Sequence, residues 1–290
     1  MKKKLNIIIV AVLFLAGLSL LLYPFTANQW NTHRQNKLMS EYAESVAQME
    51  EAGVIDYETQ WVKAHAYNDD LDPYILPDSF AMAEIPEEGN ADYRSCLNLT
   101  GDGMMGFVEI PKIGIKLPVY HTTSEEVLQK AAGHLAGSSL PVGGEGTHTV
   151  ISAHRGLPSA SLFTDLDQLK NGDYFLFDIL NETLCYQVDQ ILVVEPDDTD
   201  ALQAEEGMDL ATLLTCTPYG INSHRLLVRG HRIPYEEMEE METPLSAVLG
   251  PSLHTSYLLW VIVGLAVTGA FIVLLYLMDR RRFKRKKEQE

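Results

Sequence analysis

A cysteine and an arginine stand at the two ends of one turn-rich segment in the C-terminal half of the chain. Cys216 follows the apolar run 211–215, Arg225 precedes the apolar run 226–228, and eight residues separate the two. Proline, glycine, asparagine and serine in that interval favour a loop between two strands. A thiolate is a competent nucleophile, and a nearby guanidinium both lowers the pKa of a thiol and can stabilise an oxyanion. The pairing therefore suits chemistry better than packing.

A histidine at the end of another β-like run could supply a proton carrier. The run THTVISA at 147–153 ends at His154. If the fold brings this strand end to Cys216, a thiol, an imidazole and a guanidinium would meet at one rim. His224 competes for the same role, although its position in the turn-rich segment is more typical of a solvated loop histidine.

Metal binding is the competing interpretation of the histidines. His148 and His154 have the same strand parity and so share a face, but six residues of strand put them about 20 Å apart, too far for one ion. Other His and Cys residues lack chelating spacing, so we expect neither a metal nor another cofactor. Three further histidines are interpreted as structural or surface groups: His121, His134 and His231.

The elements that must position these side chains are short β-like runs separated by turns. Seven such runs occur between residues 106 and 233: GFVEIP, IKLPVYH, THTVISAH, DYFLFDIL, TLCYQVDQILVVEP, ATLLTC and RLLVRGHRI. The one helix of note among them is predicted over 124–132, with Ser124 as its N-cap and two glutamates in its first turn. Many short strands at nearly regular spacing favour a mainly β fold, and we expect a closed or nearly closed β-barrel of about 130 residues with short helices.

Helical periodicity precedes the barrel. The segment 24–70 is predicted to form exterior helices, because apolar residues recur among polar ones and Gly53 interrupts the pattern. Residues 71–90 are rich in proline and acids and are interpreted as a linker, and residues 237–256 as an acidic linker after the barrel. The catalytic domain is therefore expected at 91–236.

Two uncharged stretches, 5–23 and 257–278, are each close to the roughly 20 residues that cross a bilayer core. Lysines at 2–4 precede the first stretch, and the basic tail 279–290 follows the second. Because an excess of Lys and Arg marks the cytoplasmic side, we expect two transmembrane helices in the cell membrane, both termini cytoplasmic, and the catalytic domain extracellular. A cleaved signal peptide at 1–23 is the alternative to a signal anchor, although no clear Ala-x-Ala site follows it.

The region between the two spans is strongly acidic. It holds 37 of the 40 Asp and Glu residues but only 12 of the 22 Lys and Arg residues. Such a surface repels a phosphate backbone, so we expect no nucleic-acid partner.

Three cysteines do not make the even, dense set of an exported domain that depends on disulfides. Cys185, inside an apolar run, is interpreted as a buried apolar residue. A bridge between Cys96 and Cys185 is the alternative.

Four motifs occur in a characteristic order along the chain. Residues 212–216 read TLLTC, Arg225 lies nine residues after the cysteine, 152–156 read SAHRG, and 133–144 read GHLAGSSLPVGG. Together they resemble the class C, pilin-polymerising sortases of Gram-positive bacteria, whose signature is Thr-Leu-x-Thr-Cys. The resemblance covers residues 67–235, and the two flanking spans also resemble class C.

This resemblance implies a sortase-type β-barrel and a cysteine transpeptidase that cuts an LPxTG-like sorting signal between Thr and Gly. Cys216 would attack the threonyl carbonyl, His154 would protonate the departing amine, and Arg225 would stabilise the oxyanion or hold the substrate backbone. The implied partners are pilin or surface-protein precursors with a C-terminal sorting signal. The acyl group would pass to an amine, either a pilin lysine or a peptidoglycan precursor.

Class C sortases also resemble one another in an N-terminal lid with an Asp-Pro-aromatic motif over the active site. The matching residues here are Asp72, Pro73 and Tyr74, although the usual aromatic residue is Phe or Trp. A second candidate, at 78–80, lacks the central proline, and a plain linker is the alternative to both.

Other functions remain open at this point. A membrane-anchored cysteine protease would hydrolyse the same intermediate, and a sortase could anchor proteins to the cell wall instead of polymerising pilins. A non-catalytic surface adhesion domain would make the pairing of Cys216 with Arg225 incidental.

Overall fold

The computed structural model describes residues 2–71, 87–240, 261–266 and 268–269. The chain divides into two compact units at residues 25 and 26. The first includes the N-terminal apolar turns, and the second runs from Thr26 to Gly250 and contains the barrel.

Two helices precede the barrel, as the periodicity predicted. Helix α1 spans Lys2–Glu51 and α2 spans Tyr57–Asp69, so the interruption expected at Gly53 is confirmed. Gly53 has a φ of +66°, a left-handed conformation that glycine adopts without strain. Asp56 then caps α2, because its carboxylate accepts a hydrogen bond of 3.1 Å from the Thr59 amide.

One helical stretch within the described residues, Val12–Glu51, is long and apolar enough to cross a membrane, with a mean hydropathy of 1.4 in its apolar window. Of the second predicted span, 257–278, only the short helical pieces 261–266 and 268–269 belong to the described residues. The basic tail 279–290 lies outside them.

Eight strands form a closed barrel in the order β1-β2-β3-β4-β7-β8-β6-β5, which confirms the predicted fold. The β2–β3 and β4–β7 pairs are parallel, and the other neighbours are antiparallel. The strands are β1 Met104–Ile110, β2 Ile115–His121, β3 Ala132–His134, β4 Thr147–Ser152, β5 Tyr174–Ile179, β6 Glu182–Val194, β7 Asp209–Thr217 and β8 His224–Ile233. Helix α3, Glu87–Ser95, precedes β1, helix α4, Glu125–Leu128, lies between β2 and β3, and α5, Tyr235–Glu240, follows β8.

The helix predicted over 124–132 is too long. Ser124 is the N-cap residue, but α4 ends at Leu128 and the chain enters β3 at Ala132. No predicted run corresponds to β3, which is only three residues long. Gly133 lies so close to the Thr122 carbonyl oxygen that a Cβ at this position would overlap it. Pairing with β2 and β4 therefore overrides the local helical signal.

Apolar side chains fill the barrel. Phe175 stacks on Tyr186 with ring centroids 5.7 Å apart, and its edge meets Phe177 at 5.6 Å. All three are fully buried. Each such side chain stabilises the fold by about 1.5–3 kcal/mol relative to exposure. Cys185 is also fully buried and none of the three cysteines is in a disulfide, so its interpretation as a buried apolar residue is confirmed.

The C-terminal part of α1 packs on the barrel and on the loop that follows β4. The Asn28 side-chain oxygen accepts hydrogen bonds from the Ser161 amide and hydroxyl at 2.7 and 2.9 Å. The side-chain amide of Asn31 donates to the Ser159 carbonyl at 2.5 Å, and the edge of the Tyr42 ring contacts Phe107. The segment that follows His154 is therefore held from outside by a helix.

Candidate active site

Strands β7 and β8 place Cys216 and Arg225 directly opposite each other. The two residues are partners in the antiparallel register, at the end of β7 and the start of β8. Partners in such a register share a face of the sheet, with Cβ atoms about 5 Å apart. Cys216 is 7% exposed and Arg225 is 8% exposed.

The shared face is the outer face of the barrel. Leu213 and Val228 are partners three register steps along the same two strands, an odd number, and both lie in the main core. Because side chains alternate along a strand, Cys216 and Arg225 must project to the other side. Their neighbours on that side, Leu214 and Leu227, belong to a separate apolar cluster.

His154 reaches the same end of this face from strand β4. The parallel β4–β7 register pairs Ser152 with Leu214, and extending it by two positions brings His154 level with Cys216. The Ala153 amide donates to the Leu214 carbonyl at 3.2 Å, so the two chains still run together at the last residue before the histidine. The three residues singled out by the sequence analysis are thus gathered at one strand end.

Two effects act on the pKa of His154, whose side chain is 21% exposed. Burial lowers the pKa of His154 below its ordinary value, and the Glu125 carboxylate acts in the opposite direction. The distance from His154 Nε2 to Glu125 Oε2 is 3.9 Å. Glu125 is the first residue of α4, and no sequence signal connects it with a histidine 29 positions away.

The Arg225 guanidinium is held by two backbone carbonyls close to the start of its own strand. Its Nη1 atom donates to the carbonyls of Asn222 and His224 at 3.2 and 3.1 Å. These bonds orient a group that is almost fully removed from water, where hydrogen bonds to a developing negative charge are strongest.

The alternative proton carrier, His224, lies on a different side of the strand. It begins β8 as the register partner of Thr217, so its side chain alternates away from the face of Cys216 and Arg225. Its Nε2 atom lies 3.3 Å from Glu195 Oε1, and the side chain is 40% exposed. His224 was predicted to be in a loop, whereas it is the first strand residue.

His148 occupies the same face as His154 but lies within the paired part of β4, where it is 2% exposed. Its Nε2 atom is 2.7 Å from Thr212 Oγ1 and its Nδ1 atom is 2.9 Å from the Gln203 carbonyl oxygen. Both ring nitrogens are thus engaged by the protein.

Comparisons with known proteins give this geometry a family. Residues 108–233 match the sortase domain family. A sortase C from Streptococcus pneumoniae is 50% identical, with a TM-score of 0.60, over 69% of this chain and 97% of that one. Sortase C1 from Streptococcus agalactiae is 49% identical, with a TM-score of 0.62, over 68% of this chain and 98% of that one. Sortase A of Bacillus anthracis is 27% identical over 230 residues, 79% of this chain and 95% of that protein.

The chain belongs to the sortase family. Its resemblance to class C is confirmed as well, because two solved structures of sortases C are about 50% identical to it in the aligned region, which spans nearly their full lengths. Sortases are cysteine transpeptidases, so this protein is an enzyme.

The loop after Cys216 forms an apolar rim beside the site of this sortase. Tyr219 is 54% exposed and Ile221 is 72% exposed. Gly156, in the loop after β4, has a φ of +80°, and a Cβ there would lie 3.2 Å from the Tyr219 ring. A side chain at position 156 would therefore both strain the backbone and crowd the rim.

Sequence reasoning missed several residues that surround the predicted trio. Arg155 was noted only as a letter of the SAHRG motif, and Thr217 only as part of the turn-rich segment. The structure buries Arg155 and joins it to Thr217. The lid residues predicted from the resemblance, Asp72, Pro73 and Tyr74, lie outside the described residues, as does the alternative at 78–80.

Proposed function

We propose that this sortase polymerises pilins: it cleaves an LPxTG-like sorting signal between Thr and Gly and transfers the acyl group to a pilin lysine. The observation that carries the assignment of residues is the register pairing of Cys216 with Arg225, together with the arrival of His154 at the same strand end. The S. pneumoniae relative is described in terms of its pilin substrate specificity, and another sortase C from group B Streptococcus as pilus-related.

In the first half of the reaction, the Cys216 thiolate attacks the threonyl carbonyl carbon. Arg225 donates hydrogen bonds to the oxyanion that forms, or to the substrate backbone beside it. The carbon–nitrogen bond to glycine then breaks as His154 gives a proton to the departing amine. The product is a thioester between threonine and Cys216.

In the second half, a lysine amine attacks the thioester carbonyl. His154 takes the proton that the amine loses, and the Cys216 thiolate leaves. The new bond is an isopeptide, and the enzyme returns to its starting state.

The outer face beside Cys216 supports an apolar substrate. Leu214 and Leu227 pack with Val150, and Leu192 and Val194 extend this cluster with partly exposed side chains. The leucine and proline of a sorting signal would bury apolar surface there.

Membrane attachment serves this function. The apolar N-terminal part of α1 would hold the enzyme in the membrane that also carries the pilin precursors. Two partners confined to one surface meet at a high effective concentration, so binding of the signal itself can be weak. We extend this proposal to two membrane spans, with the barrel outside the cell and both termini inside.

The test offers full-length enzyme in detergent an LPxTG peptide together with a peptide containing one lysine. Mass spectrometry should detect a threonine–lysine isopeptide, which Cys216→Ala should abolish. Oligoglycine replaces the lysine peptide in a parallel reaction that represents cell-wall anchoring, and buffer alone represents a cysteine protease. Preferred transfer to oligoglycine, or hydrolysis that outruns transfer to the lysine, would contradict the assignment to pilin polymerisation.

A further inference from the structure

The segment that follows His154 is closed on itself by hydrogen bonds. The Phe163 amide donates to the His154 carbonyl at 3.1 Å, and the Gly156 amide donates to Thr164 Oγ1 at 3.2 Å. Arg155 Nε donates to the Thr164 carbonyl at 3.1 Å. These bonds tie residues 154–164 into one closed loop that begins at the histidine.

Arg155 connects this loop to the strand of Cys216. Its Nη1 atom donates to Thr217 Oγ1 at 3.1 Å, and its Nη2 atom donates to the Asp167 carboxylate. The Arg155 side chain is only 5% exposed, so its charge needs a paired anion, and Asp167 supplies it. The other N–H groups of the guanidinium are then available to fix the position of β7, which carries Thr217.

A second side-chain bond joins the same two chains just before the reactive residues. Thr215 Oγ1 donates to the Ala153 carbonyl at 2.7 Å. The bond from Thr215 thus links the residues that precede His154 and Cys216, and the bond from Arg155 links the residues that follow them. Side-chain hydrogen bonds between the two segments therefore lie both before and after His154 and Cys216.

The bond from Arg155 to Thr217 lies beyond the backbone hydrogen bond from the Ala153 amide to the Leu214 carbonyl, where the regular pairing of β4 with β7 has already ended. The register pairs of β4 with β7 end at Ser152 and Leu214, two residues before His154 and Cys216. A displacement of about 1 Å between reacting groups can cost roughly 100-fold in rate. The side chains at the end of the sheet therefore have a geometric task that the backbone ladder does not perform.

We propose that Arg155 is a positioning residue, which sets the distance between His154 and Cys216 through its hydrogen bond to Thr217. The inference rests on the proposed function, because it assigns His154 and Cys216 a joint reaction. Arg155 itself touches neither the substrate nor the reacting atoms.

Thr217→Val is the sharpest variant for this test, because it removes the hydroxyl, keeps nearly the same shape, and leaves the pair of Arg155 with Asp167 intact. We expect its kcat for isopeptide formation to fall about 10- to 100-fold with little change in the KM for the LPxTG peptide. Thr217→Ser keeps the hydroxyl and should restore kcat to within a few-fold of the wild-type value. Arg155→Lys should lose at least as much as Thr217→Val, because it also disturbs the bonds to Thr164 and Asp167. The double variant should lose little more than Arg155→Lys alone, since both changes remove the bond between Arg155 and Thr217.

Arg229→Lys is the matched control. Arg229 is another largely buried arginine, 16% exposed and paired with Asp189 and Glu205, but it lies four positions from Arg225 along β8 and contacts neither His154 nor Thr217. Its kcat should stay near the wild-type value. The proposal is overturned if Thr217→Val keeps wild-type kcat, if Thr217→Ser loses as much as Thr217→Val, or if Arg229→Lys loses as much as Arg155→Lys.

The rate at which iodoacetamide alkylates Cys216 separates failure of this inference from failure of the proposed function. If wild-type enzyme makes no isopeptide, the proposed function fails, yet alkylation still tests the role of the hydrogen bond between Arg155 and Thr217. Thr217→Val and Arg155→Lys should then change the alkylation rate, because they alter the surroundings of the thiol, whereas Thr217→Ser and Arg229→Lys should not. Equal rates in all four variants would overturn the inference.

Discussion

The outer face of β4, β7 and β8 carries a histidine and an arginine in each of two regions, one within the strand pairing and one just beyond the last pair of β4 with β7. We call these regions the closed end and the open end. The closed end consists of His148, Thr212 and Arg229, and the open end of His154, Cys216 and Arg225. Similar side chains on the same strands thus meet two different environments.

At the closed end, each polar group has a protein partner. His148 is 2% exposed, and its ring nitrogens face Thr212 Oγ1 and the Gln203 carbonyl oxygen. Arg229 pairs with Asp189 and Glu205. A side chain satisfied in this way stabilises the fold and has no capacity left for a substrate.

At the open end, the pairing of β4 with β7 stops before His154. His154 keeps 21% of its side-chain surface exposed, and Arg225 is oriented by the carbonyls of Asn222 and His224. Residue type and face therefore do not distinguish the proposed proton carrier, His154, from the structural histidine, His148. Their positions relative to the β4–β7 pairing distinguish them, because His148 lies within it and His154 lies beyond its last pair.

The largest expected contrast is between the two histidines. His154→Ala should lower kcat for transfer about 10²- to 10⁴-fold, the usual contribution of a positioned acid and base, without loss of stability. His148→Ala should leave kcat per folded molecule within a few-fold and instead lower the free energy of unfolding by about 1–3 kcal/mol for each partner left unsatisfied. Steady-state kinetics and urea denaturation measure the two effects. His224→Ala should retain activity, and loss of activity there with survival in His154→Ala would exchange the two assignments.

The two arginines should differ next. Arg225→Ala should lower kcat about 10²- to 10³-fold, because it removes a donor from the oxyanion. Arg229→Ala leaves Asp189 and Glu205 without their cation and should cost stability instead of rate. Acyl-enzyme formation with the LPxTG peptide, followed by mass spectrometry, reports the first effect, and thermal unfolding the second. Equal loss of acyl-enzyme in both variants would remove the distinction between the ends.

Acid should weaken the closed end. Burial lowers the pKa of His148 below its ordinary value, so the unfolded chain takes up a proton more readily than the folded one. The contribution of His148 to the free energy of unfolding is then fully present above about pH 6.5. It falls as the pH drops below that value, by at most about 1.4 kcal/mol per pH unit for one histidine. His148→Asn should flatten this dependence between pH 7.5 and 5 in urea denaturation. An unchanged slope would show that His148 does not titrate with unfolding.

The smallest effect is expected from Glu125, the carboxylate beside His154. Glu125 raises the pKa of His154, so Glu125→Gln should lower that pKa and move the limb of the pH–rate profile that reports His154 to lower pH. Glu126→Gln, one position along the same helix and 89% exposed beside Lys130, is the control and should leave the profile in place. A shift in both variants, or in neither, would remove the assigned role of Glu125.

Local signals predicted much of the fold. Alternating apolar runs and regular turns indicated the barrel, and the break at Gly53 separated α1 from α2. The signals failed at β3, where apolar and polar residues after Ser124 favoured a longer helix than tertiary pairing allows. Three residues are too few to show a strand period, so only the strands on either side could determine β3.

The sequence by itself determined which chemical groups are present and which of them share a face. Eight residues between Cys216 and Arg225 were enough to predict a loop that brings them together, because hairpin pairing is local. It could not decide that His154 meets them, since β4 and β7 are parallel neighbours joined only through a long crossover. Nor could it connect Arg155 with Thr217 or Glu125 with His154, because these contacts exist only once the barrel has closed.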